Sequence, residues 1–284
     1  MKRVLSIQDL SCIGKCSLGI ALPVLSAMGV ECAALPTAVL STHTAFDGFV
    51  SKDLTPLLAS FAAHWKQLGI GFDTIYSGYL ASDEQIGLVC ELYRQFGAEQ
   101  TLFFVDPVMA DHGRLYAGFD ADFPEKMRVL CAAADIITPN ITEACLLTGT
   151  PYLEQYNESY IRLLLERLLD LGAKTAILTG IRLGSRQMGV AAMEHGGNYS
   201  VSLTEYIPSV FHGTGDLFAS TCAGALTLGY STASAIALAT DYVVYTIRRT
   251  AADPDARWYG VNFEATLPYL IEQLSLLPPQ EEPK

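Results

Sequence analysis

The segment FHGTGDLF, residues 211–218, contains the residues of this chain best suited to chemistry. Its glycines let the main chain turn tightly, so successive N–H groups can point into one concavity where the following helix begins. Such a nest binds an anion without any lysine side chain. Asp216 is the carboxylate at its mouth, and we expect the positive end of the helix dipole to keep it ionised.

Together these groups predict phosphoryl transfer. The amides of Gly213, Thr214 and Gly215 would stabilise charge on a transferring γ-phosphoryl group, and Asp216 would accept the proton of the attacking hydroxyl. The same four residues also occur at an ordinary helix N-terminus with an acidic capping residue. The GTGD pattern by itself therefore leaves both interpretations open.

A second candidate is the N-x-x-E step from Asn140 to Glu143, which passes from the end of an apolar run into the first turn of a helix. The spacing places an amide and a carboxylate at one rim, which suits a hard cation such as Mg²⁺, often held through water. It equally fits a helix cap with Glu143 at the third helical position. No GxxxxGK[ST] motif is present, which excludes a P-loop kinase, and the lack of G-x-G-x-x-G disfavours a dinucleotide dehydrogenase.

The elements that must position these residues alternate along the chain. Short apolar runs bounded by Gly, Pro, Asp or Asn predict buried strands, with amphipathic helical stretches between them. This alternation predicts a mostly parallel sheet with helices on both faces and a ligand site beyond the carboxyl ends of the strands. We expect one domain over residues 1–277 and a polar tail over 278–284. The predicted strands are Arg3–Ile7, Glu31–Leu35, Thr74–Ser77, Leu102–Val105, Ile136–Thr138 and Thr175–Leu178, with a hairpin at Met188–Met193 and Tyr199–Leu203.

Composition narrows the class of partner. The net charge of −12 argues against nucleic acid and anionic membranes, which require a basic face. Seven cysteines without a CxxC pair fit no complete disulfide framework and favour a reducing cytoplasm. The uncharged run 217–240 is interrupted at Gly229, which favours two buried helices over a membrane span. We therefore expect a soluble, cytoplasmic protein that acts on small molecules.

Six short motifs, taken together, resemble the ribokinase-like superfamily and, within it, the pyridoxal/pyridoxamine/pyridoxine (vitamin B6) kinase family. Their order and spacing match that family over nearly the whole chain. The resemblance implies a three-layer α/β fold without a large separate lid domain, and phosphorylation of a hydroxymethyl group by ATP. The motifs are SIQ at 6–8, STHT at 41–44, SGYL at 77–80, DPVM at 106–109, TPN at 138–140 with Glu143, and GTGD at 213–216.

The resemblance also implies a role for each candidate residue. Asp216 is the base and Gly213 to Gly215 form the anion hole. The cofactors are ATP and Mg²⁺, with a monovalent cation such as K⁺ as a further candidate, and the implied assembly is a homodimer. Tyr79 and His43 could equally be core residues with satisfied polar tips. The remaining implied roles are metal and phosphate ordering by Asp106, Asn140 and Glu143, an ATP-side position for Thr179, and an acceptor ring surrounded by Asp9, Thr37, His43 and Tyr79.

The chain departs from the commoner family pattern near its start. Asp9 stands where Ser is usual, and Gly14-Lys15 replaces a Gly-His pair. An acidic residue beside the acceptor ring would favour an amine or a protonated ring nitrogen. The preferred B6 vitamer is therefore open, and so are hydroxymethylpyrimidine and a sugar as acceptors. A binding protein that has lost catalysis is a further alternative, against which the intact Asp216 argues.

Overall fold

One large sheet organises the protein. The computed structural model describes residues 1–184, 186–209 and 211–277, so the predicted tail 278–284 lies outside the described residues. In these ranges nine strands form the sheet in the order β11-β10-β9-β8-β5-β4-β1-β2-β3, and β6 and β7 form a separate two-stranded ribbon. The strands are β1 (Arg3–Ser11), β2 (Glu31–Leu40), β3 (Ser51–Asp53), β4 (Thr74–Ser77), β5 (Leu102–Val105), β6 (Ala110–Asp111), β7 (Arg114–Leu115), β8 (Ile136–Ile137), β9 (Thr175–Leu183), β10 (Gln187–Glu194) and β11 (Tyr199–Glu205).

Helices connect the strands and close the chain. The uncharged run 217–240 forms parts of two helices joined by a turn, as predicted. Among the described residues, no helix is both long enough and apolar enough to cross a membrane. The helices are α1 (Leu18–Ala27), α2 (Thr55–Gln67), α3 (Asp83–Phe96), α4 (Phe123–Ala133), α5 (Ile141–Thr148), α6 (Glu158–Leu169), α7 (Thr214–Thr227), α8 (Thr232–Ala251), a 3-10 turn at Phe263–Thr266, and α9 (Leu267–Leu276).

The prediction of a mostly parallel sheet is confirmed. Strands β2, β1, β4, β5, β8 and β9 pair in parallel. The predicted hairpin is the antiparallel pair β10 and β11, and β3 adds an antiparallel edge next to β2. Strand β1 continues four residues beyond the predicted Ile7, because Gln8 and Asp9 are buried and the neighbouring strand β2 continues alongside them.

Two apolar layers cover the faces of the sheet. One contains residues of α2 to α6, such as Leu58, Ile86 and Leu165, and the other contains residues of α1, α7, α8 and α9, such as Val24 and Leu217. The sheet between them is buried on both faces, as parallel sheets require. This is the three-layer α/β fold that the sequence predicts.

Local sequence determines where several helices begin. The side chain of Ser82 accepts from Gln85 N at 3.3 Å at the start of α3, and that of Asn157 accepts from Tyr160 N at 3.1 Å at the start of α6. Each satisfies one N–H that the helix itself leaves open. Helix α7 lacks such a side-chain cap and begins instead at Gly213, in the left-handed conformation with φ 84°. Its first amides remain available for a ligand.

Candidate active site

The predicted site residues meet at the carboxyl edge of the parallel strands. Asp106 directly follows β5, and its main-chain N–H donates to Ser77 O of β4 at 2.9 Å. Asn140 follows β8 and forms an isolated parallel bridge with Thr179 of β9, whose N–H donates to Pro139 O at 2.9 Å. Residues far apart in sequence are thereby brought to one edge.

The N-terminus of α7 forms the anion-binding concavity that the glycines predict. Its first intrahelical bond runs from Leu217 N to Gly213 O at 2.9 Å. Within the described residues, no main-chain carbonyl accepts from the N–H groups of Thr214, Gly215 or Asp216. A Cβ on Gly213 would lie 2.0 Å from Lys15 O, whereas one on Gly215 would meet nothing within 4 Å. The glycine at 213 is thus required by close approach of the loop between β1 and α1.

Asp216 lies at the mouth of this concavity and is partly exposed. Burial of the carboxyl raises its pKa to about 6, and the nearby charge of Asp9 adds to the rise. The main-chain N–H of Ser17 donates to the carboxyl and opposes the rise. Desolvation therefore outweighs the helix dipole in its effect on this pKa. At neutral pH the carboxylate still predominates.

Asp106 is a second buried acid of the site. Its side chain is 8% exposed. Burial raises its pKa well above the ordinary value, and the charges of Glu143 and Asp216 raise it further. Three acidic groups therefore share one region from which water is largely excluded. A cation placed among them would stabilise their ionised forms.

Glu143 and Asn140 form a complete capping box at the start of α5. Glu143 N donates to Asn140 Oδ1 at 3.0 Å, and Asn140 N donates to Glu143 Oε2 at 2.9 Å. Glu143 Oε1 also accepts from Met109 N at 3.0 Å and Ala110 N at 3.4 Å, which ties the segment after β5 to α5. Burial nevertheless raises the pKa of Glu143 to about 8. Asn140 and Glu143 therefore form the predicted helix cap. If Glu143 also contributes to a metal site, it does so with a carboxyl that the main chain already holds.

Asp9 lies on the other side of Asp216 and is 7% exposed. Burial raises its pKa, and the hydroxyls of Ser17 and Ser11 oppose the rise. Ser11 Oγ donates to Asp9 Oδ2 at 3.3 Å. Tyr79 is close enough for the charge of Asp9 to contribute to the raised pKa of its phenol, after the larger effect of burial. Asp9 is thus partly engaged with its own loop while facing the proposed acceptor side.

Thr37 and His43 are both buried, and His43 is engaged by the main chain at both ring nitrogens. Ala45 N donates to His43 Nδ1 at 3.1 Å, so Nε2 carries the proton and donates to Tyr259 O at 3.1 Å. This arrangement matches a core histidine with satisfied polar tips. Its polar atoms hold two loops together and its Cδ2 edge packs against Gly14, which leaves the face of the ring for an acceptor.

Sequence reasoning missed part of the site. Ser17 contacts both Asp216 and Asp9 yet carries no recognisable signal apart from preceding α1, where it adopts a positive φ of 48°. The aromatic side chains around His43 come from distant segments: ring centroids lie 5.0 Å away for His212 and 5.9 Å away for Trp258. Pairs separated by about 200 residues leave no periodic pattern to detect.

Comparison with known proteins identifies the family. The profile of the family described as "Phosphomethylpyrimidine kinase" matches residues 22–258, well over half of the chain. The chain belongs to this family. A pyridoxal kinase of Rubrobacter xylanophilus is 30% identical over 266 residues, covering 87% of each chain. The chain is thus also related to pyridoxal kinases, which confirms the resemblance to the vitamin B6 kinases.

Solved structures of family relatives share the complete fold. A Bacteroides thetaiotaomicron protein assigned as a phosphomethylpyrimidine kinase superimposes with a TM-score of 0.92 at 36% identity, covering 99% of this chain and 96% of that chain. The pyridoxal kinase of Lactobacillus plantarum gives a TM-score of 0.87 at 35% identity, covering 96% and 97%. The protein is therefore an ATP-dependent kinase with the ribokinase-like fold. The roles of its individual site residues remain predictions.

Proposed function

We propose that this kinase transfers the γ-phosphoryl group of ATP to the 5′-hydroxymethyl group of a vitamin B6 vitamer: pyridoxal, pyridoxamine or pyridoxine. The observation that carries the proposal is the start of α7. There, amides without a main-chain acceptor among the described residues surround a carboxyl whose pKa of about 6 suits a general base at neutral pH. A second crystal form of the Bacteroides relative, 35% identical to this chain, contains pyridoxal.

In the proposed reaction Asp216 accepts the proton of the acceptor hydroxyl while that oxygen attacks the γ-phosphorus. The amides of Gly213, Thr214 and Gly215 donate to the oxygens of the transferring group, where negative charge is spread in the transition state. The N–H of Ser17 holds the carboxylate and favours its ionised form. Asn140 and Thr179, bridged at the ends of β8 and β9, would lie on the ATP side.

Mg²⁺ fits the acidic region near Asp106. Carboxylate oxygens are ligands that Mg²⁺ prefers, and a cation beside Asp106 would offset the repulsion from Glu143 and Asp216 that raises its pKa. Within the described part of the chain, no three His, Cys, Asp or Glu side chains are arranged to hold a metal by themselves. Mg²⁺ would therefore be held by Asp106, by phosphate oxygens and by water. Glu143, whose carboxyl is already held by the main chain, would support this arrangement. It would neutralise charge on the phosphates.

The acceptor side suits a flat aromatic ring with a cationic group. Tyr79 and the carbon face of His43 offer apolar surface, while the buried Asp9 supplies negative charge. The family description favours a second candidate of the same chemistry, a hydroxymethylpyrimidine, which is also flat and carries an amine. Sugars fit less well, because the rings of His43, Phe46 and Tyr79 in the segment from Thr37 to Tyr79 suit a flat aromatic acceptor better.

An acceptor panel tests the proposal. ADP release is measured with saturating ATP and pyridoxal, pyridoxamine, pyridoxine, hydroxymethylpyrimidine or ribose, each with and without Mg²⁺. We expect the highest kcat/KM with a B6 vitamer and no turnover without the metal. A higher kcat/KM with hydroxymethylpyrimidine would transfer the assignment to the second candidate. Stimulation by K⁺ over Na⁺ in the same assay tests the proposed monovalent cation.

We also propose that the protein is a homodimer, as its family resemblance implies. Light scattering on the full-length chain tests this, and a mass near 30.7 kDa, that of one chain, would contradict it.

A further inference from the structure

The loop that connects β1 to α1, residues 12–17, lies against the proposed base and the start of the anion-binding amides. Its Ser17 lies close enough to both carboxyls for its N–H to lower the pKa of Asp216 and its hydroxyl to lower that of Asp9. The carbonyl of Lys15 lies against Gly213 so closely that a Cβ there would be 2.0 Å away. The loop therefore determines where both the proposed base and the start of the anion-binding amides are placed.

The main chain of this loop adopts an unfavourable conformation. Gly14 has φ 132° and Ser17 has φ 48°, the latter a value that a residue with a side chain rarely adopts. A segment in such a conformation persists only where surrounding contacts impose it. The source of that constraint must be sought outside the loop.

Main-chain hydrogen bonds to residues 40–43 hold Cys12 and Ile13 at the start of the loop, and Lys15 supplies the side-chain contact nearer to its end. Its Nζ lies 2.9 Å from Glu264 Oε2 and 3.1 Å from Asn262 Oδ1, so the side chain crosses to the segment between α8 and α9. The Lys15 side chain is only 14% exposed, and a Cβ on Gly260 would come within 2.5 Å of Lys15 Cβ. The aliphatic part of the lysine is therefore packed under Gly260 while its ammonium is paired.

The receiving segment is itself anchored. Asn262 Nδ2 donates to Asp253 Oδ2 at 2.7 Å, and Asn262 N donates to Thr250 Oγ1 at 2.9 Å. Thr250 belongs to α8, so the contact of Lys15 is transmitted to a long helix of the apolar layer rather than to a free loop. The geometry gives Lys15 a rigid partner.

We propose that Lys15 is a positioning residue for catalysis: its pairing with Glu264 and Asn262 clamps the loop 12–17 against the start of α7, and so holds Ser17 on Asp216 and fixes the approach to Gly213. The proposal rests on the proposed role of Asp216 as base. The ammonium of Lys15 is directed to the segment 262–264. Its effect on the reaction passes through the main chain of the loop.

The test is a set of variants assayed for turnover and for local hydrogen exchange. Lys15→Met keeps the packed aliphatic stem and removes the ammonium. We expect kcat to fall by about tenfold or more, which is the effect of losing one hydrogen bond to a charged group. The KM values for ATP and for the acceptor should change less than about threefold. Lys15→Arg, which can still reach Glu264, should restore kcat to within about threefold of wild type.

Hydrogen exchange without substrates separates this proposal from the assignment of function. Peptides covering residues 12–17 and 211–217 should exchange faster in Lys15→Met than in wild type, whether or not a B6 vitamer is the acceptor. Glu264→Gln provides a milder variant should Lys15→Met fold poorly, and the double variant should lose no more kcat than Lys15→Met alone because both act on one contact. Lys126→Met, which removes an exposed pairing with Asp83 elsewhere, serves as the control and should leave kcat and both peptides unchanged.

Wild-type kcat in both Lys15→Met and Glu264→Gln would overturn the proposal. A loss of kcat that Lys15→Arg does not restore would also overturn it, and so would unchanged exchange at residues 211–217 in both variants. An absence of kinase turnover in wild type, accompanied by faster exchange in Lys15→Met, would refute the proposed function. It would still support the role of Lys15 in holding the loop 12–17 against the start of α7.

Discussion

Asp216→Asn should make the protein more stable at neutral pH while it nearly abolishes turnover. Burial raises the pKa of this carboxyl from 3.8 to about 6, so ionising it costs more in the folded chain than in the unfolded one. A difference of about two units corresponds to about 3 kcal/mol lost from the free energy of unfolding above the folded-state pKa. Asparagine carries no charge and keeps an oxygen that can accept from the Ser17 N–H.

The pH dependence of this gain follows from the sign of the shift. Because the folded-state pKa is raised, the destabilisation is complete above about pH 7, shrinks to about 1 kcal/mol near pH 4.5, and vanishes below the unfolded-state value. Urea unfolding of wild type and variant at about pH 4.5 and 7.5 measures it. At neutral pH kcat should fall by about 10²–10⁴ because the proton acceptor is gone.

Asp53→Asn is a matched control whose expected effect on stability has the opposite sign. Hydrogen bonds from the hydroxyl and main-chain N–H of Thr55 lower the pKa of Asp53, so its ionised form is favoured by folding. Asp53→Asn should therefore lower stability at neutral pH, lose that effect as pH falls through the lowered pKa, and leave kcat unchanged. If Asp216→Asn were less stable than wild type by the same amount at both pH values, or kept most of its turnover, the description of Asp216 as a desolvated base would be wrong.

Three further variants test the surroundings of Asp216. Glu143→Gln should raise the Mg²⁺ concentration needed for half-maximal kcat, since glutamine has one acceptor oxygen where two are used. Gly213→Ala should lower both stability and kcat because the added Cβ meets Lys15 O, whereas Gly215→Ala, which has open space, should keep the stability of wild type. Asp9→Ser should weaken selection of pyridoxamine over pyridoxal without abolishing kcat.

One result would contradict each of these predictions. An unchanged Mg²⁺ titration in Glu143→Gln would reduce that residue to a helix cap. Equal melting temperatures for Gly213→Ala and Gly215→Ala would contradict the close approach of the loop 12–17. An unmoved ratio of kcat/KM between the two vitamers in Asp9→Ser would leave Asp9 as a residue that orders its own loop.

The elements with strong local signals could be predicted from the sequence. The bounds of β4 and β5 agree with the predicted Thr74–Ser77 and Leu102–Val105, because both are short buried runs ended by polar residues. The concavity at Gly213 was also recognisable, because a glycine before a helix and an acidic residue within its first turn form a local pattern. Burial on both faces of a parallel sheet explains why the apolar runs identified the strands.

Properties that depend on distant pairs could not be predicted. The acidity of Asp216 depends on its burial and on Asp9, more than 200 positions earlier. The protonated nitrogen of His43 is set by the carbonyl of Tyr259, 216 residues away. The departure at Lys15 was visible in the sequence, yet its meaning lay in a contact 247 residues along the chain. Each of these pairs forms only when the layers assemble.

The central claim is that Asp216 and the amides at the start of α7 transfer phosphate from ATP to a B6 vitamer. Product formation tests it most directly: wild type and Asp216→Asn are incubated with ATP, Mg²⁺ and pyridoxal, and pyridoxal 5′-phosphate is quantified by mass spectrometry against ADP. We predict one pyridoxal 5′-phosphate for each ADP in wild type and a rate about 10²–10⁴ lower in the variant. ADP release by wild type without phosphorylated pyridoxal, or equal product from both proteins, would contradict the claim.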